Sequence, residues 1–116
     1  MSQAVLQAKL WYAQRISAMI LGLCVSIHLI IIFYAIRGGL TAEEILGRTQ
    51  GNLAFAIFYE IFVLACFVHA PIGLANILEE TFSKGFISKT LSSLLAVLIL
   101  ILGTTAVIGV YTGGAL

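Results

Sequence analysis

Three long apolar runs constrain the fold of this chain more than any other feature of its sequence. They cover about residues 16–36, 53–78 and 91–111, and each is close to or above the roughly 20 residues needed to cross a hydrocarbon core of about 30 Å. Backbone amides in lipid must be hydrogen-bonded within their own segment, so all three runs are predicted to be helices. The predicted fold class is therefore an all-α membrane protein with three transmembrane helices, forming a single domain over residues 1–116.

The composition supports this class. Hydrophobic residues make up 61% of the chain and charged residues only 9%, whereas a typical soluble domain is about 45–50% apolar and about 25% charged. The net charge of +1 leaves no basic surface of the kind that binds nucleic acid. We therefore expect membrane lipid, and no nucleic acid, around this protein.

The positive charges outside the apolar runs predict the orientation in the membrane. One side carries four of them and the other side two, namely Lys9, Arg15, Lys84 and Lys89 against Arg37 and Arg48. Cytoplasmic segments carry the excess of lysine and arginine, so we expect a cytoplasmic N-terminus and an outside C-terminus. The expected location is the cytoplasmic membrane of a bacterium or archaeon, or its organelle equivalent.

The segments between the runs differ in their helix signals. The first, about residues 37–52, contains Thr41 with Glu44 three residues later, which is the pattern of a capping box. A short helix at the membrane interface is predicted there. The second, about residues 79–90, is predicted to be a loop.

The two histidines, His28 and His69, lie well inside the first and second apolar runs. An imidazole at membrane depth is costly to bury, so it needs a hydrogen-bond partner, a proton path or a metal. Both residues are predicted to be axial ligands of haem iron. The alternatives for His69 are a hydrogen bond to a neighbouring helix or a proton relay, and for His28 a hydrogen bond to Ser26 or to a partner chain. Gly73 lies on the same helix face as His69, where the missing side chain would let a flat macrocycle approach.

The spacing of His28 and His69 in the sequence is compatible with two arrangements of haem. Both histidines could bind one haem between the first two helices, or each could pair with a histidine of another subunit, giving two haems. Two more residues, Arg15 and Ser17, stand at the start of the first run. The arginine could bind a haem propionate or a quinone carbonyl, or could serve only as a snorkelling anchor.

Two hypotheses from other classes compete with the cytochrome. Glu60 lies early in the second run, where burying a carboxylate in lipid costs free energy. It could be the coupling carboxylate of a small proton-coupled transporter, or its side chain could reach the membrane interface. The chain could also be a haem-free structural anchor. Cys24 and Cys66 are interpreted as packing residues. The sequence has no nucleotide or phosphate motif, so substrate chemistry is not expected within this chain.

Three stretches together resemble the membrane-anchor cytochrome b subunit of succinate dehydrogenase and fumarate reductase. The family's first-helix signature His-Arg-x-Ser-Gly is similar to Gln14-Arg15-Ile16-Ser17-Ala18. Its second-helix haem-ligand stretch is similar to the eight residues from His69 to Asn76, and the loop before its third helix is similar to the stretch from Leu78 to Gly85. The chain departs from the family pattern at Gln14, where the family has histidine, and at Trp11, where it has serine.

The resemblance implies a non-catalytic electron-transfer subunit. His69 would be an axial ligand of haem b with Gly73 beside the cofactor, and Arg15 and Ser17 would lie near the quinone site and a haem propionate. A flavoprotein, an iron–sulfur protein and a second anchor chain, or a copy of this one, would be the partners. Two-haem members use histidines on the first two helices of each half, a layout that His28 and His69 match, so we expect a two-haem module in which each histidine faces a partner ligand.

Overall fold

The computed structural model describes residues 2–82 and 85–114, and it confirms the predicted all-helical fold. The helices are α1 Gln3–Gly38, α2 Ala42–Thr49, α3 Leu53–Thr81 and α4 Phe86–Thr112. Of these, α1, α3 and α4 are long and apolar enough to cross a membrane. Lys84, one of the charges behind the predicted orientation, lies outside the described residues.

The long helices continue well beyond the apolar runs. α1 begins at Gln3, where the Ser2 hydroxyl accepts a hydrogen bond of 3.2 Å from the Val5 amide. Its 36 residues correspond to about 54 Å at 1.5 Å per residue, far more than a hydrocarbon core of about 30 Å requires. The loop predicted at 79–90 is likewise wrong in extent, because α3 ends at Thr81 and α4 begins at Phe86. The start of α1, before the first apolar run, is rich in Ala, Leu, Gln and Lys, which favour helix.

α2 is the short helix that the capping box predicted. The Thr41 hydroxyl accepts a hydrogen bond of 3.2 Å from the Glu44 amide at its first turn. The end of α2 and the residues after it form a structure that we call the α2 cap, made of Arg48, Thr49 and Gly51. They donate hydrogen bonds to the carbonyls of Gly39, Val110 and Tyr111, at 2.7, 3.0 and 2.8 Å respectively. The α2 cap thus satisfies carbonyls at the C-terminal ends of both α1 and α4.

α3 is the central helix, with α1 packed against one side and α4 against the other. Most of the partly or fully buried residues of α1 form a stripe with alternating spacings of four and three, which we call the α1 seam: Leu10, Gln14, Ser17, Leu21, Cys24, His28, Ile31 and Ala35. This spacing is that of knobs-into-holes packing between two helices. The other faces of α1 are apolar and exposed, so lipid or a partner chain can cover them.

Small residues bring α3 and α4 close together. Ser88, Ser92 and Val107 are buried on α4, and Gly103 lies between the last two. A β-carbon at Gly103 would stand 2.7 Å from Cγ1 of Val63 on α3, closer than van der Waals contact permits. Helices in membranes associate through such close packing of small residues, because the surrounding lipid is as apolar as the side chains.

Candidate functional site

His69 is half-buried on α3 and faces the α1 seam. Its Nδ1 lies 3.3 Å from the hydroxyl of Ser17 on α1, and that hydroxyl donates a hydrogen bond of 3.0 Å to the carbonyl of Gln14. A serine hydroxyl has one hydrogen; when the Gln14 carbonyl receives it, Ser17 offers His69 a lone pair, and Nδ1 is then the ring nitrogen that carries a hydrogen. In a neutral imidazole, Nε2 then has the free lone pair, which is the form that binds a metal.

Gly73 lies one helical turn after His69, but the space beside it is not open. A β-carbon at Gly73 would stand 3.3 Å from Nε2 of Gln14, so the end of the Gln14 side chain is the group next to this glycine, and the macrocycle contact stays a prediction. The reason is that Gln14 lies on the α1 seam, one turn before Ser17. Its Oε1 atom is buried without a hydrogen-bond partner in the described part of the chain.

His28 lies on the same α1 seam, further towards α2. Its Nδ1 is 3.3 Å from the Tyr59 hydroxyl on α3. The predicted alternative partner, Ser26, instead donates a hydrogen bond of 2.9 Å to the Gly22 carbonyl of its own helix. The rings of Tyr59 and Phe62 both meet the imidazole edge to face, with centroid distances of 5.7 Å in each case.

The two histidines lie at different depths along the bundle. His28 is eleven residues beyond Ser17 on α1, and its partner Tyr59 is ten residues before His69 on α3. At 1.5 Å per residue, the two imidazoles are about 15 Å apart along the helices. The axial ligands of one haem bind opposite faces of a single iron atom. This spacing therefore does not fit one haem shared by His28 and His69 of the same chain.

His28 also stands between two apolar grooves. One, of about 900 Å³, runs along α3 and α4 past Phe62, Cys66 and Ala70. The other, of about 670 Å³, lies under α2 beside Phe55. His28 and Tyr59 line both grooves. Volumes of this order, with apolar walls and few polar groups, are typical of sites for small molecules and cofactors.

Arg15 and Ser17 are close in sequence but occupy different sides of α1. Ser17 is buried against α3, whereas Arg15 is exposed. The Arg15 guanidinium lies 5.0 Å from the centroid of the Trp11 ring, one turn earlier on the same face. The structure therefore does not place these two side chains in one pocket within this chain. Arg15 remains free to meet a group brought by another subunit or by the membrane.

Metal ligation by a cluster of side chains is not found in the described residues, 2–82 and 85–114. Within them, no three His, Cys, Asp or Glu side chains come together in a way that could hold a metal ion. The candidate ligands are thus the two imidazoles taken singly, each with Nδ1 beside a hydroxyl. Neither Nε2 has a hydrogen bond there, nor is it among the buried atoms that lack a partner, so both reach the surface of the chain.

The family model described as succinate dehydrogenase/fumarate reductase transmembrane subunit matches residues 1–110. The chain belongs to this family. Comparisons with curated proteins and with solved structures gave no significant match. Family membership confirms the resemblance found in the sequence and makes the chain a membrane subunit of a succinate dehydrogenase or fumarate reductase complex.

Glu60, the coupling carboxylate of the transporter hypothesis, is bonded within the bundle. Its Oε1 accepts a hydrogen bond of 2.9 Å from the Thr104 hydroxyl, which links α3 to α4. The contact gives this intramembrane carboxylate a structural role, and family membership favours a membrane subunit of a larger complex over a transporter.

Replacing Thr104 with valine should destabilise the packing of α3 on α4. Valine keeps the shape but removes the hydroxyl, and hydrogen bonds between membrane helices contribute about 0.6 kcal/mol on average and up to about 1.7 kcal/mol. A lower thermal unfolding temperature in detergent is the expected result. The matched control is Thr105→Val, at the exposed neighbouring position. Equal unfolding temperatures for the two variants would contradict a structural role for the Glu60 contact.

Proposed function

We propose that this chain is the haem-binding anchor of its complex and passes electrons between the iron–sulfur subunit and membrane quinone. His69 and His28 would each bind one haem b, with the second axial ligand supplied by a partner anchor chain or by a copy of this one. Bound haem b supplies one-electron redox chemistry. This chain's part is to hold each imidazole in a ligating form and to exclude water around it.

The observation that carries the proposal is the hydrogen bonding of His69. Ligating histidines nearly always donate their other ring N–H to an oxygen, which fixes the tautomer and orients the ring. Two hydrogen bonds supply that arrangement here: His69 Nδ1 meets the Ser17 hydroxyl, and this hydroxyl donates to the Gln14 carbonyl. The separation of the two histidines supports two haems at two depths, and the apolar grooves beside His28 are suited to a flat apolar cofactor.

The proposed orientation rests on the distribution of positive charge, and the proposed partners rest on the family. We propose a cytoplasmic N-terminus, with the flavoprotein and iron–sulfur subunits docked on that side. Arg15 is at this end of α1 and exposed, so its guanidinium is available to a quinone carbonyl or a haem propionate. Electrons would enter or leave through the soluble subunits, with succinate or fumarate as their substrate.

The decisive experiment is a haem-to-protein ratio on the complex purified in mild detergent, with a reduced-minus-oxidised spectrum and identification of the co-purifying chains. We expect a b-type spectrum with two haems per pair of anchor chains. One haem would leave His69 as the ligand and reduce His28 to a packing role. A colourless complex that retains its soluble subunits would overturn the haem proposal and establish a haem-free anchor.

A further inference from the structure

We propose that Tyr59 is the positioning residue of His28: its hydroxyl accepts the Nδ1 hydrogen of the imidazole and thereby sets the redox potential of the haem bound there. The inference rests on the proposed function and extends it to a residue that no sequence motif marks. It follows from the hydrogen bond of 3.3 Å between the two side chains and from the way the aromatic rings of α3 surround His28.

Two aromatic rings of α3 contact the His28 ring. Tyr59 and Phe62 are three residues apart, so they lie on one face of α3. Both rings stand nearly perpendicular to the imidazole, at interplanar angles of 87° and 82°. Edge-to-face contacts of this kind are a preferred aromatic geometry and restrict rotation of the ring they enclose. The imidazole therefore has a defined orientation between the two grooves that it lines.

Tyr59 is itself held in place. Phe55, one turn earlier on α3, stacks on it with a centroid distance of 6.0 Å and an interplanar angle of 20°. Phe58 meets it at 5.0 Å. A hydroxyl on a ring packed in this way is a fixed hydrogen-bonding group rather than a mobile one. In this packing, the Tyr59 hydroxyl lies 3.3 Å from Nδ1 of His28.

The hydrogen bond has a consequence for the metal. When Nε2 binds iron, Nδ1 must carry the remaining ring hydrogen, and the tyrosine oxygen can accept it. Such an acceptor raises the basicity of the imidazole, and its removal typically weakens metal binding by 10- to 100-fold. A more basic ligand stabilises the ferric state more than the ferrous state. Loss of the Tyr59 hydroxyl should therefore raise the midpoint potential of the haem at His28.

The test is a redox titration of the intact complex carrying Tyr59→Phe, which removes the hydroxyl and keeps the ring. We expect one haem component to titrate at a higher potential. For a one-electron couple, a tenfold change in the reduced-to-oxidised ratio at a fixed potential corresponds to a shift of 59 mV in the midpoint potential. The same haem should pass at least tenfold faster to a haem scavenger. The control is Tyr111→Phe, since Tyr111 is exposed on α4, lines neither groove, and its hydroxyl has no partner in the described residues.

A second pair of variants distinguishes a role of Tyr59 in positioning His28 from a role only in packing the helices. In a His28→Ala background, Tyr59→Phe should leave the potential of the remaining haem unchanged, because the tyrosine acts through His28. Loss of one haem in Tyr59→Phe, as in His28→Ala, supports the proposal. A haem potential equal to that of wild type, or failure of Tyr59→Phe to assemble where His28→Ala assembles, would overturn it. A wild-type complex without haem would instead refute the proposed function.

Discussion

Replacing His69 with alanine is expected to remove one of two haems from the complex. Alanine takes away the Nε2 lone pair that the Ser17 hydrogen bond keeps free, so the proposed haem iron would lose one of its axial ligands. In the reduced-minus-oxidised spectrum the b-type absorbance should fall by about half, and one component should disappear from a redox titration. The haem held at His28, about 15 Å away along the helices, should keep its potential.

The matched control for His69→Ala is Thr81→Ala. Thr81 is exposed at the end of α3, twelve residues or about 18 Å after His69, so its removal takes a polar side chain from the same helix without touching the histidine site. Wild-type haem content in this control, with half content in His69→Ala, would identify the imidazole as the cause. A full haem complement in His69→Ala would exclude His69 as a ligand and leave the Ser17 contact as an ordinary interhelical hydrogen bond.

Replacing Gly103 with alanine is expected to push α3 and α4 apart. The new β-carbon would stand 2.7 and 2.9 Å from the two γ-carbons of Val63, and a branched valine on a rigid helix cannot turn away. Overpacking of this kind costs about 1–3 kcal/mol. The gain in helix propensity from glycine to alanine, up to about 1 kcal/mol, offsets part of that cost. We expect a clear fall in the unfolding temperature of the complex in detergent.

Two further variants isolate the cause. Gly109→Ala lies in the same helix, and a β-carbon there meets nothing within 4 Å, so this variant should be as stable as wild type or slightly more stable. Adding Val63→Ala to Gly103→Ala removes both γ-carbons and should restore much of the lost stability, as expected for two residues in direct contact. If Gly103→Ala and Gly109→Ala unfold at the same temperature, close packing at Gly103 does not limit stability.

Much of the fold could be predicted from the sequence, because lipid leaves few alternatives. The three apolar runs became α1, α3 and α4, and the Thr41–Glu44 pattern marked the start of α2. The helix ends were predicted less well, since hydropathy reports the part of a helix that is apolar rather than the part that is helical. Ser2 is an N-cap residue type at the observed start of α1, and this signal could have extended the first helix to Gln3.

The sequence alone predicted which residues are candidates for the site, but not which side chains contact them. The sequence identified His28 and His69 by their cost in lipid, but it gave neither Tyr59 nor the role of Ser17 as the hydrogen-bond partner of His69. In a soluble helix, a polar face would have revealed the α1 seam. Here the exposed faces are as apolar as the buried one, so no periodic contrast marks it. The difference in depth between the two histidines depends on how α1 is aligned lengthwise against α3. Counting residues within a single span does not give this alignment.

The α2 cap makes the two ends of the bundle mechanically unequal. At its own end, hydrogen bonds from Arg48, Thr49 and Gly51 tie the ends of α1 and α4 to α2 and to the segment just before α3. Separation of α1 from the other helices is therefore resisted at this end and is freest at the start of α1, where Arg15 and Ser17 lie. His28 is the nearer of the two histidines to the α2 cap, and Ser17, the partner of His69, is further from it. If the two histidines bind haem as proposed, the surroundings of the haem at His28 would be the more rigid, and those of the haem at His69 could adapt as neighbouring subunits assemble.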